Sequence, residues 1–445
     1  MRKEDHSGAS QEAPTEEAGS IETSVLINGA PRGSARSLRA LEWLNAIVAA
    51  VRGGVGPYLA IYLRASRHWD PAHIGLAMSA LEVGTVLAET PAGALTDRAR
   101  GTRLLVVAAA VGVATGSLLV LYSRQVAPVI AAQAVIGAMA ALFPTAMAAI
   151  TLGLVGAVRL PRQVVRNETW NHAGNVATAI VAGLIGSYLA PADIFYLVVA
   201  LSIVSIAVVL TIPGHEIDHA EARGALDTEG HTHVSSMRAL LMDRRIGIFG
   251  LCVVLFQFAN AAMLPLVGQV LSQGNDHSAS LYMSACIITA QLVMVPVAAW
   301  AGRACTVYGR KWVLMIGFSA LPIRGVLYTL TGHPIQLIAI QILDGIGAGI
   351  FGVASVLVVA DLTRGTGRFN LTNGAIGTAT SLGASLSHVV SGLIVQHLGY
   401  DAAFLALSAV ASIALGCLWI AMPETSDAQR SVARGDVGSA RTRGT

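Results

Sequence analysis

The sequence predicts an all-α membrane protein with twelve transmembrane helices, arranged as two pseudo-symmetric six-helix bundles. Three observations predict this class: the composition, the spacing of long apolar runs and an internal repeat. Of the 445 residues, 54% are hydrophobic and 12% are charged, and the mean hydropathy is +0.63. A soluble domain carries about 25% charged residues. A chain with this much apolar surface needs lipid as its solvent, which excludes a water-soluble protein.

The first half contains six apolar runs, each long enough for a helix to cross about 30 Å of hydrocarbon. A polar, glutamate-rich segment, residues 1–37, precedes them and is predicted to be disordered because it has too few apolar residues to bury. It contains no early apolar stretch, so no cleavable signal peptide is expected. The predicted helices one to six are residues 41–63, 74–92, 104–122, a run within 126–158, a helix beginning near 163, and 194–212.

A polar linker, residues 213–245, divides the chain, and six further apolar runs follow it. The prediction is therefore an N-terminal bundle over residues 38–212, a C-terminal bundle over 246–422 and a disordered polar tail over 423–445. The predicted helices seven to twelve are about residues 246–271, 278–301, 312–330, 335–360, 370–396 and 402–422.

The linker contains four histidines, and His215 and His219 have the i, i+4 spacing that can hold a metal on a helix. No neighbouring residues in the sequence would orient such ligands, so a solvated connector is the favoured interpretation. No cofactor is predicted, and the four cysteines have neither disulfide nor zinc spacing.

The basic residues indicate how the helices are oriented. The positive-inside rule assigns the loops richest in Lys and Arg to the cytoplasm. Loops that follow even-numbered helices are the richer set, so both termini are predicted to be cytoplasmic, in a bacterial inner (plasma) membrane. Their basic residues are Arg98, Arg100, Arg103, Arg159, Arg162, Arg166, Arg303, Arg310, Lys311, Arg364 and Arg368, against Arg64, Arg67 and Arg124 in the odd-numbered loops.

The second half of the chain repeats the first. Residues 182–189 match 391–398 at an offset of 209, and Pro57 matches Pro265 at an offset of 208. Internal duplication of this kind is typical of secondary transporters, whose substrate site lies between the repeats near the middle of the membrane. Three residues of helix four also match helix ten at an offset of 208: Gln133, Gly137 and Phe143 correspond to Gln341, Gly345 and Phe351.

Two basic loops at corresponding positions carry a motif. Together with the twelve helices and the repeat, they make the chain resemble the major facilitator superfamily over about residues 40–422. The family's motif reads Gly, three residues, Asp, Arg or Lys, one residue, Gly and two basic residues. Arg100 replaces the second glycine of the first copy, and Thr306 replaces the aspartate of the second. The motif residues present are Gly93, Asp97, Arg98 and Arg103, and then Gly302, Gly309, Arg310 and Lys311.

The resemblance implies a carrier that works by rocking its two bundles about a central site. It also implies a gating role for Asp97, because in the family this aspartate bonds to the second half on the cytoplasmic side and stabilises the outward-open state. The helix-four signature of the family's exporters is degenerate here, with Gln133 in the arginine position. The helix-five glycine-proline motif of the family's antiporters is missing.

Three informative charges lie inside predicted helices: Arg52, Glu82 and Asp344. An ionisable group at mid-membrane costs about 2.5–3.5 kcal/mol on insertion scales and is usually paired and functional. Arg52 and Glu82 fall at one depth on antiparallel neighbours, so an ion pair is predicted, with a coupling role favoured over a structural lock. For Asp344 two interpretations stand equally: a site that takes up and releases the coupling proton, or a carboxylate neutralised by Arg324.

Helix five carries two polar stripes at i, i+4 spacing. Glu168 and His172 form one and are further candidates for ion coupling, whereas Asn167, Asn171 and Asn175 form the other. A polar stripe on an apolar helix indicates a water-filled cavity, with packing between helices as the less favoured alternative. The predicted substrate cavity comprises Asn171, Asn175, Gln133, Gln257, Asn260 and Gln341.

These patterns lead to a functional hypothesis: a secondary transporter, not an enzyme, that exports a small organic molecule by proton coupling. One alternative is a proton- or cation-coupled symporter for organic acids, with Arg52 as the partner of the anion. Another is a non-transporting membrane scaffold or sensor, which predicts no polar cavity. The expected partners are the substrate, protons and the lipid bilayer, with no nucleic acid, and the chain is expected to be a monomer.

Overall fold

A computed structural model describes residues 33–53, 56–99, 101–218, 243–273, 276–362 and 369–425. Within these ranges the chain is helical and contains no strand, as predicted. Most of the predicted terminal segments and of the linker lies outside the described residues. Residues 35–37, predicted to be disordered, instead form the start of the first helix, where Ser37 is buried.

The N-terminal bundle begins with a broken span. Its first piece ends at Gly53, and its second piece continues through a π-helical turn over Tyr62–Ser66. The next helix has a defined start, since the side chain of Asp70 accepts a hydrogen bond of 3.0 Å from the His73 N–H and Pro71 occupies the first helical position. The helices are α1 (Ala35–Gly53), α2 (Gly56–Ile61), α3 (Pro71–Arg98), α4 (Thr102–Tyr122), α5 (Val126–Ala140), α6 (Leu142–Tyr188) and α7 (Ile194–Leu210).

The C-terminal bundle repeats this order. Its first span is again in two pieces, and the side chain of Asp243 caps the first of them by accepting from the Arg245 N–H. The helices are α8 (Arg244–Asn260), α9 (Met263–Leu271), α10 (Asp276–Val307), α11 (Arg310–Thr329), α12 (Pro334–Leu362), α13 (Phe369–Leu398) and α14 (Tyr400–Ala421).

The number of membrane spans agrees with the prediction in outline. In the described ranges, 11 helices are long and apolar enough to cross a membrane. The remaining predicted span, helix five, forms the second half of α6. The first half of α6 belongs to predicted helix four, and a kink at Gly156 separates the two halves. Gly156 has φ 73°, a conformation that favours glycine. The second half of α6 carries the polar stripes, which lower its hydropathy.

Two predicted loops are largely helical. The hairpin expected over residues 93–103 is shorter, because α3 continues through Arg98 and α4 begins at Thr102. In the second copy α10 runs to Val307 and α11 begins at Arg310, which leaves only Tyr308 and Gly309 outside the helices. Charged residues can continue a helix beyond the hydrocarbon because water and headgroups solvate their side chains. Helix ends therefore do not coincide with the ends of apolar runs.

Among the described residues, the two bundles meet mainly where α3 packs on α13, α6 on α10, and α2 on α9. We call the side of the bundles where α1 begins and α14 ends the terminal side, and the other side the opposite side. A Cβ added to Gly75 near the opposite-side end of α3 would collide with the carbonyl of His388, and one on Gly392 would lie 2.6 Å from the carbonyl oxygen of Pro71. Small residues thus let α3 and α13 approach closely there.

An apolar cluster and hydroxyl pairs also join the bundles on the opposite side. Residues of both bundles, including Tyr58, Ile61, Met263 and Leu266, form one buried cluster. The Tyr58 hydroxyl lies 2.7 Å from the Ser284 hydroxyl, and the Ser79 and Ser385 hydroxyls are likewise 2.7 Å apart. The opposite side is therefore closed by packed side chains from both bundles.

Candidate substrate and coupling site

A cavity of about 620 Å³ lies within the N-terminal bundle, between α1, α3 and the two halves of α6. It reaches the terminal side, where Gly93, Thr96 and Val164 line it. Its walls combine apolar side chains with the polar or charged side chains of α1, α3 and α6. The remaining lining residues are Asn45, Val48, Ala49, Arg52, Phe143, Pro144, Thr145, Met147, Ala148, Ala149, Thr151, Leu152, Asn167, Glu168 and Asn171.

The charged lining residues of the cavity are Arg52 on α1 and Glu168 on α6, and both side chains are exposed to it. Glu82 and Glu89 on α3 act on Arg52 electrostatically, as does Glu168. Among the described residues Arg52 forms no ion pair with any of them. The predicted direct contact between Arg52 and Glu82 is therefore not formed, and the guanidinium is available to water or a ligand in the cavity.

Hydrogen bonds along the asparagine stripe of α6 fix one cavity wall. Asn167 accepts from Gln163 and donates to the Thr151 hydroxyl, each at 3.0 Å. Asn175 donates to Asn171 at 3.3 Å and lies against Gly53, where a Cβ would come within 2.9 Å of its Oδ1. Of the two asparagines predicted for the cavity, Asn171 lines it and Asn175 supports Asn171 from behind.

His172, a predicted coupling residue, faces the other bundle. Its Nδ1 lies 2.9 Å from Oε1 of Gln291 on α10. On the same helix, nearer the terminal side of the molecule, Arg166 forms an ion pair of 2.6 Å with the buried Glu42 of α1. The face of α6 that carries His172 therefore joins the bundles, while Glu168 points into the cavity.

The C-terminal bundle contains a separate, buried charge network. Arg324 on α11 is 1% exposed and forms an ion pair with Asp344 on α12. It also donates to Oδ1 of Asn260 at 2.7 Å, and its guanidinium lies 5.9 Å from the centre of the Tyr328 ring. Gln341 donates to the Tyr328 hydroxyl at 2.8 Å. Asn260 and Gln341, predicted for the cavity, belong to this network instead.

The other two predicted cavity residues also lie away from the cavity. Gln133 is fully buried, and neither of its amide atoms has a hydrogen-bond partner among the described residues. Gln257 is partly buried against α13, where a Cβ on Gly383 would lie 3.1 Å from the Cβ of Gln257. Neither glutamine lines the cavity.

Glu89 is a candidate that the sequence prediction omitted from its sites. Its Oε2 is buried without a hydrogen-bond partner in the described part of the chain. Its Oε1 would lie 3.1 Å from a Cβ placed on Gly377 of α13, so the carboxyl reaches the second bundle. Its spacing of two helical turns from Glu82, on the same face of α3, was the signal that could have identified it.

The residues of the two loop motifs lie in different places and make different contacts. Gly93 lines the cavity, and Gly309, with φ 92°, starts α11. Arg103 donates to the Ile212 carbonyl at 2.7 Å, while Lys311 donates to the Trp419 carbonyl at 2.6 Å, so each caps the last helix of its bundle. Arg310 pairs with Asp361 at 3.1 Å.

The remaining predicted residues belong to α10, α3 and the linker. Gly302 lies within α10. Asp97 and Arg98 are in the last turn of α3, and their side chains are outside the described part, so the gating role of Asp97 stays a prediction. His219 of the linker also lies outside the described residues. Within the described ranges, no group of three or more His, Cys, Asp or Glu residues could hold a metal ion.

One carboxylate outside the membrane ties the start of the chain to the end of the N-terminal bundle. The Ser34 N–H donates to Glu216 at 2.8 Å, and this bond holds the pKa of the Glu216 carboxyl below its ordinary value. The Glu424 carboxylate has the corresponding place after α14, where it accepts from the Arg310 and Lys311 N–H groups at 2.9 and 3.1 Å. In each bundle, a glutamate that follows the last helix therefore bonds back to backbone N–H groups of the same bundle.

Comparison with known proteins extends these observations. A sequence model of the family described as the Major Facilitator Superfamily matches residues 43–304 and 275–442. Two Mycobacterium tuberculosis sequences, each named an uncharacterised MFS-type transporter, are 44% identical over 394 residues, which cover 88% of this chain and 94% of theirs.

Solved structures of transporters share the fold. The nucleoside transporter NupG aligns with a TM-score of 0.71 at 16% identity over 86% of this chain and 98% of its own. A peptide-bound transporter of the POT family aligns at 0.71, with 12% identity, over 89% of this chain and 98% of its own. A D-xylose–proton symporter aligns at 0.66, with 14% identity, over 91% and 98%. At these identities the likeness concerns the fold alone.

Proposed function

This chain belongs to the Major Facilitator Superfamily, and we propose that it exports a small organic molecule from the cytoplasm in exchange for protons, by alternating access. The observation that carries the proposal is the cavity of the N-terminal bundle, which holds two exposed charges and reaches the terminal side. The clustering of basic residues supports a cytoplasmic location for that side.

The contacts between the bundles support alternating access. The opposite side is closed by glycine and serine contacts, while the cavity reaches the terminal side. Rocking of one bundle against the other would separate the contacts on the opposite side and close the cavity on the terminal side. The contacts on the opposite side can separate because the small residues of α3 and α13 form a packed but uncharged contact. A non-transporting scaffold has no need of a charged cavity inside one bundle.

Glu82 is the proposed proton carrier, with Arg52 as the group that senses its charge. Glu82 attracts Arg52 electrostatically but does not form an ion pair with it among the described residues. A proton on Glu82 would remove that attraction and change how Arg52 faces the cavity. Asp344 is assigned a structural role instead, because the buried guanidinium of Arg324 holds its carboxylate.

A symporter for organic acids is a second candidate, which the exposure of Arg52 on the cavity wall favours. Three carboxylates, Glu82, Glu89 and Glu168, act on the same arginine and oppose the binding of an anion. The exporter is therefore preferred.

The test is transport by the purified protein in proteoliposomes with an imposed pH gradient, against a panel of amines, nucleosides, sugars, dipeptides and carboxylic acids. We expect uphill movement of at least one class, which Glu82→Gln abolishes while downhill exchange continues, because binding and rocking need no proton on that residue. Glu216→Gln, outside the membrane, is the matched control. Unchanged gradient-driven flux in Glu82→Gln would remove Glu82 from coupling, and flux indifferent to the gradient in the parent protein would refute proton coupling itself.

A further inference from the structure

We propose that the cavity of the N-terminal bundle binds an organic cation with an apolar body, and that Glu168 is the residue that selects its charge. The proposal rests on the proposed transport function and names its substrate class. Its basis is the sign and position of the charges around the cavity, together with the residues that form the apolar wall.

The charges around the cavity are unequal in number. Arg52 is influenced by three carboxylates, and of these only Glu168 lines the cavity. Glu82 and Glu89 lie on α3, do not line the cavity and offset the positive charge of Arg52. Even with one proton on Glu82, two carboxylates face one guanidinium. In a medium of low dielectric constant, such a region attracts a positive ligand and repels a negative one.

Glu168 is free to meet that ligand. Its side chain is exposed on the cavity wall, and no hydrogen bond or ion pair holds it among the described residues. The neighbouring charge on α6, Arg166, is engaged by Glu42 at 2.6 Å and so does not neutralise it. A carboxylate left without a partner beside an apolar wall is a suitable counter-charge for an ammonium group.

The remaining walls suit an apolar body with one or two hydrogen-bonding groups. Phe143, Met147 and Val164 line one part of the cavity, and the amides of Asn45 and Asn171 line another. The volume of about 620 Å³ is within the range of pockets that hold drug-sized molecules. The polar side chains Thr96, Thr151 and Asn167 already hydrogen-bond to other protein groups, so a sugar would find few free partners. The carboxylates around Arg52 would repel an anion.

The experiment measures binding to the purified full-length protein, without a pH gradient, by isothermal titration calorimetry. The probes are (4-phenylbutyl)trimethylammonium, its neutral isostere with carbon in place of nitrogen, 5-phenylpentanoate and phenylalanine as a zwitterion. We expect the ammonium to bind at least about tenfold more tightly than each of the others. Glu168→Gln should remove this preference, Glu168→Asp should keep most of it, and Glu216→Gln should leave it unchanged.

Tighter binding of the carboxylate or the zwitterion, or equal binding of charged and neutral isosteres, would overturn the proposal. So would a cation preference that survives in Glu168→Gln. These outcomes are separable from failure of the transport function. A cation that binds with the expected preference but is not moved by any gradient contradicts transport alone, whereas gradient-driven movement of a sugar or an acid contradicts only the cation assignment.

Discussion

The two bundles share their helix order but have different polar centres. In the N-terminal bundle Arg52 is exposed to a cavity. Glu82, Glu89 and Glu168 act on it electrostatically, but none of them forms an ion pair with it among the described residues. In the C-terminal bundle Arg324 is buried, pairs directly with Asp344 and bonds to Asn260. The same architecture therefore places one arginine where it can respond to a ligand or proton, and another where it can only hold helices together.

The 208-residue repeat shows how this difference arose on one scaffold. The position of Asn260 in the second half corresponds to Arg52 in the first, while those of Arg324 and Asp344 correspond to Gly116 and Ile136. A Cβ on Gly116 would collide with the side chain of Ile136, so an apolar contact stands where the other bundle has its ion pair. A duplicated fold can therefore keep its helix contacts while the chemistry at those contacts changes.

The largest expected effect comes from breaking the buried pair. Asp344→Asn would leave Arg324 buried without a counter-charge, which costs about 3–5 kcal/mol in such pairs. We expect a severe loss of folded protein in the membrane fraction, and the double variant Asp344→Asn with Arg324→Gln should recover much of it. Arg52→Gln is the matched control in the first bundle and should keep a near-normal protein level. A normal amount of folded Asp344→Asn protein would show that the Arg324–Asp344 pair is no more important for folding than Arg52.

The next effect concerns the two sides of the molecule. Gly75→Val should push α3 away from α13 and open the opposite side, because the added side-chain atoms would collide with the His388 backbone. Spin labels at His73→Cys and Gln396→Cys, in a background without native cysteines, should then report a longer distance. Gly93→Val on the same helix is the control, since nothing lies within 4 Å of a Cβ there. An unchanged distance distribution in Gly75→Val would show that this contact does not close the protein.

The smallest effect compares two corresponding glutamines. Gln341→Leu removes the donor to the Tyr328 hydroxyl, and an orphaned buried group costs about 1–3 kcal/mol. Gln133→Leu replaces an amide without a partner among the described residues and should be neutral or stabilising. Thermal unfolding of the purified variants measures both. Equal losses of Tm would mean that Gln133 has a partner of its own, such as a bound water.

The sequence alone determined the class, the repeat and the helices that carry charge. Apolar runs, their lengths and the 208–209 offset are local properties of the chain, so they predict spans without knowledge of packing. Helix ends were predicted less well. The charged residues 97–98 continue α3, and Gly156 kinks one long helix where two separate ones were expected.

Which charges meet depends on how the helices pack. The sequence placed Arg52 with Glu82 and left Asp344 open between two roles, yet the direct pair is the one between Arg324 and Asp344. It likewise put Gln341 and Asn260 in a cavity that they do not line. Depth can be counted along a helix, but contact also depends on how each helix is rotated and how closely it approaches its neighbour. Those quantities are set by glycines such as Gly345, whose Cβ would lie 2.6 Å from the Ala290 carbonyl oxygen, and by packing across the whole bundle.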